Sequence, residues 1–134
     1  MKINITVVMF SIVLFVYTSN VKAQEKGKWI ASSSSKKIIN PISAKKKSSS
    51  AKKGAKIFKQ FCVACHGDLG KGDGAGSIAL DPKPANLTSN KVQDQVDGEI
   101  FWKISNGRNG MISWDGIITE SDRWNLVNYV RTLK

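Results

Sequence analysis

The sequence predicts an all-α fold in which three or more helices wrap around a buried group. Three stretches between residues 51 and 134 place apolar side chains at helical spacing, with glycine-rich or polar loops between them. No stretch alternates apolar and polar residues convincingly, as a half-buried strand would. The loop between the first two helices is long for so small a domain, which indicates that it packs around something other than protein.

Length and composition limit the chain to one small domain. It has 134 residues, a hydrophobic fraction of 41% and a formal net charge of +11. The apolar fraction is enough for a core, which excludes disorder of the whole chain. Only two cysteines are present, so neither a disulfide-dense scaffold nor a four-cysteine zinc site is available within one chain.

Residues 1–23 have the pattern of a secretory signal peptide. An apolar run occupies 12 of the 15 positions from Ile3 to Tyr17 and follows a basic residue. Val21 and Ala23 match the small-residue cleavage pattern, with Gln24 as the mature start. The run is too short and too interrupted for a typical spanning helix. We therefore expect a periplasmic or otherwise exported protein, with an uncleaved leader that anchors it to the membrane as the alternative.

Residues 24–50 form a lysine- and serine-rich arm or linker. Seven Lys and eight Ser occupy 15 of its 27 positions, which leaves few apolar residues to offset chain entropy. The arm carries a formal charge of +6, whereas the domain after it keeps only +3, so overall basicity gives no reason to expect nucleic acid as a partner.

Two alternatives are open for the few apolar residues of the arm, which are Trp29, Ile30 and the cluster at 38–42. They could dock on the domain, or they could be incidental members of a basic tail. The lysines of the arm could also associate weakly with anionic membrane surfaces.

The domain is predicted at residues 51–134, and its first helix at about 51–65. A serine among Ser48 to Ser50 is the expected N-cap, and His66-Gly67 ends the helix. The second helix is expected to have Asp97 as N-cap and to end at Gly107, where a left-handed residue is favoured.

The third helix is expected to begin after Thr119, whose side chain can cap the first turn, and to run to the end of the chain. Its apolar stripe consists of Leu126, Tyr129, Val130 and Leu133.

A C-x-x-C-H motif lies at the end of the first predicted helix, formed by Cys62, Cys65 and His66. This is the pattern of c-type haem attachment. Thiols at this spacing reach the two vinyl groups on one side of a porphyrin, while the adjacent imidazole turns under the ring to bind the iron. We therefore expect one covalently bound haem c. The rivals are a zinc site, which needs a fourth ligand, and a thioredoxin-like dithiol, which needs a βαβ context.

Met111 is the expected second axial ligand of the iron. His66 is the only histidine, so ligation by two histidines of one chain is excluded. A Met thioether is the usual soft alternative and raises the reduction potential. Met1 and Met9 belong to the leader, which leaves Met111 in a glycine-flanked loop after the second helix. A methionine that fills a core gap, with five-coordinate iron, is the alternative.

These residues resemble the class I cytochromes c and, more narrowly, a bacterial single-haem subgroup. The likeness covers residues 51–134, with the haem motif near the start of the domain and Met111 before the last helix. Similar segments are residues 65–74, 82–88, 101–104 and 122–124. The positions that resemble the crossing of the first and last helices in that family are Gly54, Phe58, Leu126 and Tyr129.

The resemblance implies the cytochrome c fold and a proline carbonyl as acceptor for the His66 ring nitrogen that does not bind iron. Pro84 is the expected acceptor and Pro82 the alternative; such a contact would fix the ring. Ile112 stands where many relatives have proline, a departure that bears on the rigidity of the Met111 loop.

An iron held by both His66 and Met111 has no vacant position for a substrate, and its ligands need not change with oxidation state. We therefore expect a monomeric, periplasmic one-electron carrier between oxidoreductases, and not an enzyme. The alternatives are a haem c subunit of a larger respiratory or dehydrogenase complex, and a ligand-binding or peroxidatic haem protein with a labile Met. Apolar candidates for a shell that excludes water are Leu80, Trp102, Ile104 and Trp114.

Four lysines cluster on the first helix, namely Lys52, Lys53, Lys56 and Lys59. They would steer redox partner proteins with acidic docking surfaces, at a rate that falls as salt rises. A solvated lysine face that keeps the protein soluble is the alternative.

Overall fold

The structure, a computed structural model, describes residues 28–134. Over this range the chain forms five α-helices, and its only β-type pairing is an isolated bridge. The all-α class is confirmed. The predicted leader and the start of the arm lie outside the described residues. The helices are α1 (Lys47–Phe61), α2 (Val63–His66), α3 (Asn90–Gln93), α4 (Asp97–Asn106) and α5 (Glu120–Val130), with 3-10 turns at Ser33–Lys37, Ala44–Lys46 and Ala75–Ala79.

Helices α1 and α5 cross at Gly54. A Cβ atom at this position would overlap the backbone carbonyl of Asn125 and lie 2.8 Å from Cβ of Tyr129. The rings of Phe58 and Tyr129 fill the crossing, with centroids 5.0 Å apart, and Leu126 is buried beside them. The crossing therefore uses the residues that the family resemblance indicates, because glycine allows two backbones to approach closely.

The hydrophobic core lies mainly between α1, α4 and α5. Half-buried side chains that pack against it include Cys62, Val63, Met111 and Trp114. The C-x-x-C-H motif and the Met111 loop, the two parts of the predicted haem site, therefore border the same core. Its buried members are Phe58, Val92, Ile100, Ile104, Ile118, Trp124, Leu126, Val127 and Val130.

Helix α1 begins at Lys47 and not near residue 51, so the prediction of a serine N-cap was wrong. Ser50 is buried inside the helix, where its hydroxyl donates to Oδ1 of Asn125 at 2.7 Å and accepts from Nδ2 of Asn128 at 2.8 Å. Because its hydroxyl is hydrogen-bonded to these two side chains of α5, Ser50 does not cap the helix. The predicted boundary between residues 50 and 51 falls inside α1, and the division into arm and domain stays a prediction.

The end of the first predicted helix also differs. Helix α1 stops at Phe61, and the last part of the haem motif lies in the separate short helix α2. The loop predicted to lack regular structure contains the 3-10 turn Ala75–Ala79, and α3 follows it.

Helix α4 ends at Asn106, and Gly107, the residue after it, has the predicted left-handed φ of +63°. Its start differs from the prediction, because Asp97 is the first helical residue and Val96 is the N-cap. The Val96 N–H donates to the Glu99 carboxylate at 3.1 Å. Asp97 does not cap because its carboxylate accepts hydrogen bonds from Asn40 and from Arg131.

Thr119 caps α5 as predicted, since its hydroxyl oxygen accepts the Asp122 N–H at 3.2 Å. The helix ends at Val130 and does not continue to the last residue.

The described part of the arm lies against α4 and α5. Ser35 is fully buried, and a Cβ on Gly98 would collide with the carbonyl oxygens of Ser35 and Ile38. Because Gly98 has no side chain, the backbone of the arm can pack closely against the start of α4. The edge of Trp29 also meets Trp102, with ring centroids 6.4 Å apart. Of the two alternatives for the arm's apolar residues, docking is the one observed for Trp29.

A polar junction fastens the arm to the helices. Nδ2 of Asn40 donates to Oδ2 of Asp97 at 2.8 Å and to Oδ1 of Asn128 at 2.9 Å. Arg131 and Lys47 also contact Asp97, at 2.8 Å and 3.7 Å. The junction therefore joins the arm, α1, α4 and α5 around one carboxylate.

From residue 28 to residue 134, no helix combines the length and the apolarity needed to cross a bilayer.

Candidate functional site

Three of the four predicted site residues lie on one turn of the chain. Cys62 precedes α2, and Cys65 and His66 lie within it. The backbone N–H groups of Cys65 and His66 both donate to the Cys62 carbonyl, at 3.1 and 2.8 Å. This tight turn is the local arrangement that the C-x-x-C-H motif requires.

The His66 ring is oriented by the backbone. Its Nδ1 lies 3.2 Å from the carbonyl oxygen of Ala85. Because a carbonyl oxygen only accepts, Nδ1 carries the hydrogen and the lone pair is on Nε2. Burial lowers the pKa of His66, and the hydrogen bond to Ala85 partly offsets this effect. The imidazole is therefore neutral near pH 7, the form that binds a metal.

Ala85 replaces the proline that was expected as acceptor, so the assignments to Pro84 and Pro82 were wrong. The reason is the path of the loop. Gly72 has a φ of +81°, and a Cβ there would collide with the Pro84 carbonyl oxygen, which therefore faces Gly72. The Gly72 N–H donates to the His66 carbonyl at 2.8 Å. The next carbonyl along the chain, that of Ala85, faces the ring.

The Cys62 thiol is a protonated group in this environment. Burial, and secondarily the neighbouring Cys65, raises the pKa of Cys62 to about 12. A redox-active C-x-x-C dithiol has the opposite property, a lowered pKa that favours the thiolate. The thioredoxin-like interpretation is therefore not supported.

The glycine-rich loop packs directly on α2. A Cβ on Gly74 would collide with the carbonyl oxygens of Val63 and Ala64, and one on Gly76 would lie 3.5 Å from Sγ of Cys65. These glycines let the loop backbone approach the haem motif closely.

Met111 lies in a closed four-residue turn. The N–H of Arg108 donates to the Met111 carbonyl at 2.7 Å, and the N–H of Met111 donates back at 3.0 Å. Asn109, inside the turn, has a φ of +52°. The two backbone hydrogen bonds therefore close the turn from Arg108 to Met111.

Contacts on both sides join the Met111 turn to the rest of the site. Phe61, next to Cys62, packs on Trp114 with ring centroids 5.5 Å apart. A Cβ on Gly110 would collide with the side chain of Leu80, which comes from the glycine-rich loop. Residues 110–114 are thus held between the end of α1, which contacts Trp114, and that loop, which contacts Gly110.

The predicted apolar shell is only partly brought together. Leu80 and Trp114 are half-buried beside the Met111 turn, whereas Ile104 belongs to the helix core. Trp102 packs on Trp29 of the arm.

Arg123 is a residue of the site region for which the sequence analysis predicted no role. Its Nη1 donates to Oδ1 of Asp115 at 2.5 Å and to carbonyl oxygens in the segment after Met111. The sequence feature that could have indicated its burial is its position one helical turn before Leu126 and Val127, on the apolar side of α5.

The donor set fits a covalent haem. The structure offers two thiols and an imidazole on one turn, with the Nε2 lone pair of His66 available for a metal. Met111 offers a soft thioether from a constrained turn, as a His/Met iron requires.

Comparisons with known sequences agree with this chemistry. The family model for cytochrome C oxidase, cbb3-type, subunit III matches residues 49–130. The Cbb3-type cytochrome c oxidase subunit FixP of Bradyrhizobium diazoefficiens is 35% identical over 85 residues, 62% of this chain and 27% of FixP. Cytochrome c6 of Euglena gracilis is 26% identical over 84 residues, 59% of this chain and 87% of that protein. The chain therefore spans about a quarter of FixP and most of the cytochrome c6.

Solved structures show the same architecture. The KustC0563 c-type cytochrome is 27% identical with a TM-score of 0.50, covering 60% of this chain and 96% of that one. A chain of the Kuenenia stuttgartiensis reducing HAO-like protein complex Kustc0457/Kustc0458 is 25% identical with a TM-score of 0.60, covering 72% and 49%. The structural similarity extends along nearly the whole of KustC0563. It covers about half of the chain from the Kustc0457/Kustc0458 complex.

The family match covers more than half of the chain, and the motif, the helical architecture and the relatives agree with it. The chain belongs to the cbb3-type cytochrome c oxidase subunit III family and is a monohaem class I c-type cytochrome, with one covalently bound haem c and a role in electron transfer.

Proposed function

We propose that the protein is a periplasmic one-electron carrier whose haem c is attached through Cys62 and Cys65 and held axially by His66 and Met111. The haem, when bound, supplies an iron that gains and loses one electron. The residues of the chain attach it, orient it and keep water from it. The export pattern of residues 1–23 supports the periplasmic location.

The observation that carries the proposal is the constrained geometry of the two axial candidates. The Ala85 carbonyl accepts the Nδ1 hydrogen of His66, which leaves Nε2 to bind. The paired backbone hydrogen bonds between Arg108 and Met111 close the turn that carries the thioether, and the Met111 side chain packs against the core. With both His66 and Met111 bound to it, the iron would have no free ligand position for a substrate, which would favour electron exchange over catalysis.

The same contacts tune the reduction potential in opposite directions. A hydrogen bond to Ala85 makes the His66 imidazole a stronger donor, which stabilises the oxidised iron. The Met111 thioether favours the reduced iron and raises the potential.

Redox partners would dock by charge. Lys52, Lys53, Lys56 and Lys59 are exposed on the outer side of α1, opposite the face that packs on α5. We infer that this lysine face steers partners with acidic docking surfaces. The exposed lysines of the arm would add a weak attraction to anionic membrane surfaces.

A haem subunit of a larger complex is the second candidate. The family model and the 35% identity to FixP, which is named as an oxidase subunit, favour it. Co-purification of the tagged protein with an oxidoreductase through size exclusion would support the subunit role, and elution as a haem-containing monomer would support the carrier.

Optical spectroscopy of protein matured in a host able to attach haem tests the proposal. We expect a pyridine haemochrome of c type with one haem per chain, a far-red Fe–S charge-transfer band in the ferric state, and slow uptake of external ligands. A high-spin ferric spectrum with rapid ligand uptake would contradict the carrier and favour a ligand-binding or peroxidatic protein. A colourless protein with two free thiols would contradict haem attachment at Cys62 and Cys65.

A further inference from the structure

Arg123 is a charged side chain on the buried face of α5. It is 7% exposed, and it lies one turn before Leu126 and Val127, which are also buried. Its guanidinium also lies over the Phe101 ring, 5.4 Å from the centroid. Burial of a guanidinium is costly unless hydrogen bonds and an opposite charge compensate it, so its partners indicate what it does.

Among residues 28–134, all the hydrogen-bond acceptors of the Arg123 guanidinium lie in one short segment, residues 114–118. Nη1 donates to Oδ1 of Asp115 at 2.5 Å and to the carbonyl oxygens of Ile118 and Trp114 at 3.3 and 3.4 Å. Nε finds no acceptor among residues 28–134, so the Nη1 contacts determine where the guanidinium sits. One side chain of α5 thus binds three groups of the segment that follows the Met111 turn.

The same segment is fastened to the end of α4. The Trp114 N–H donates to the Ile104 carbonyl at 3.2 Å. The Ser105 carbonyl accepts from the Ser113 hydroxyl at 2.6 Å and from the Asp115 N–H at 3.2 Å. Residues 113–118 are therefore clamped between α4 and Arg123, and the clamp begins two residues after Met111.

We propose that Arg123 is a positioning residue for Met111. By holding residues 114–118 against the helices, it fixes the C-terminal side of the Met111 turn, while the bridge to Arg108 closes the turn itself. Ile112 between them leaves the backbone free to rotate, as proline would not. Without the hydrogen bonds of Arg123, the Met111 turn can move away from the iron, and an external ligand can then displace the thioether. The inference depends on the proposed ligation by Met111.

Imidazole binding to the ferric holoprotein measures this effect, because imidazole competes with Met111 for the iron. Arg123→Gln removes the charge, and we expect imidazole affinity to rise by at least about tenfold, equivalent to about 1.4 kcal/mol, with a weaker far-red band. Arg123→Lys keeps the charge without the planar donor geometry and should give a smaller increase.

Two further variants keep the test decisive. Asp115→Asn changes the largely exposed partner, whose side chain is 70% accessible, so the fold is retained and a small increase in affinity is expected. Arg131→Gln is the matched control: it removes a second arginine, which directly follows α5 and pairs with Asp97 at 2.8 Å. It should lower stability without changing imidazole affinity.

Unchanged imidazole affinity in folded Arg123→Gln protein would overturn the inference. An equal increase in Arg131→Gln would also overturn it, since general destabilisation would then explain the result. Met111→Ala separates this failure from that of the proposed function: if its imidazole affinity equals that of the unmodified protein, Met111 is not a ligand and the proposed ligation fails.

Discussion

Nδ1 of His66 lies 3.2 Å from the carbonyl oxygen of Ala85, on the loop opposite the haem motif. This contact selects the tautomer that leaves Nε2 for the iron. It depends on Gly72, whose position against the Pro84 carbonyl brings the next peptide toward the ring. The histidine is therefore oriented by a backbone group that lies 19 residues away in the chain.

Gly72→Ala should weaken the contact between His66 and Ala85. The new Cβ would collide with the Pro84 carbonyl, and the φ of +81° disfavours alanine. We expect a higher reduction potential, because a weaker hydrogen bond makes the imidazole a poorer donor to oxidised iron. An unchanged potential in folded Gly72→Ala protein, measured by redox titration, would contradict this account.

Met111→Ala should leave the haem attached and remove the far-red band. The reduction potential should fall, because a Met thioether favours the reduced iron. Ile112→Ala, at a neighbouring side chain that is 53% exposed, is expected to keep both the band and the potential. Optical spectra and redox titration of the two proteins check this, and an unchanged band in Met111→Ala would remove Met111 from the site.

Gly54→Ala should destabilise the fold, although alanine is normally more favourable than glycine in a helix interior by about 1 kcal/mol. The added methyl would overlap the Asn125 carbonyl at the crossing of α1 and α5. Such overpacking costs about 1–3 kcal/mol. Ser48→Ala, on the exposed side of the same helix, should be neutral or slightly stabilising. Denaturant unfolding measures both, and a gain in stability for Gly54→Ala would show that the helices can separate without cost.

Asp97 should make stability depend on acidic pH. Burial alone would raise its pKa, but hydrogen bonds from Asn40 and Arg131, with the charges of Arg131 and Lys47, hold the pKa below its usual 3.8. A carboxyl whose pKa is lowered on folding stabilises above its unfolded pKa and loses that contribution as pH falls through the folded value.

Asp97→Asn should therefore lower the free energy of unfolding at pH 7 by about 1–3 kcal/mol. The difference from the unmodified protein should shrink as the pH falls below 3.8, the usual Asp value. Asp94→Asn, at a nearby exposed carboxylate, should have little effect at either pH. Thermal unfolding over this range checks the prediction; a difference that stays constant with pH would contradict it.

The lysine face of α1 should set the rate of reaction with anionic partners. Replacing Lys52, Lys53, Lys56 and Lys59 by glutamine should slow oxidation by ferricyanide by up to about tenfold at low salt and flatten its salt dependence. The matched control replaces four exposed lysines of the arm, Lys36, Lys37, Lys45 and Lys46. If stopped-flow measurements show the same slowing for both four-lysine variants, the reaction rate depends on net charge and not on the lysine face of α1.

Short-range patterns were enough for the helical class and for the haem motif. The C-x-x-C-H segment is contiguous, and the signals of Gly107 and Thr119 act within one helical turn, so the sequence alone identified them. Apolar spacing also placed α4 and most of α5. These features depend on neighbouring residues, whose interactions do not require knowledge of the rest of the fold.

Contacts between distant segments needed the folded chain. Ala85 faces His66 because Gly72 turns the loop, and Ser50 lies inside α1 because asparagines of α5 bind its hydroxyl. Asn40 reaches an amide 88 residues along the chain. Neither the burial of Arg123 nor its acceptors were predicted from the sequence, because the pairing of buried polar groups depends on which backbones the packing of the core brings together.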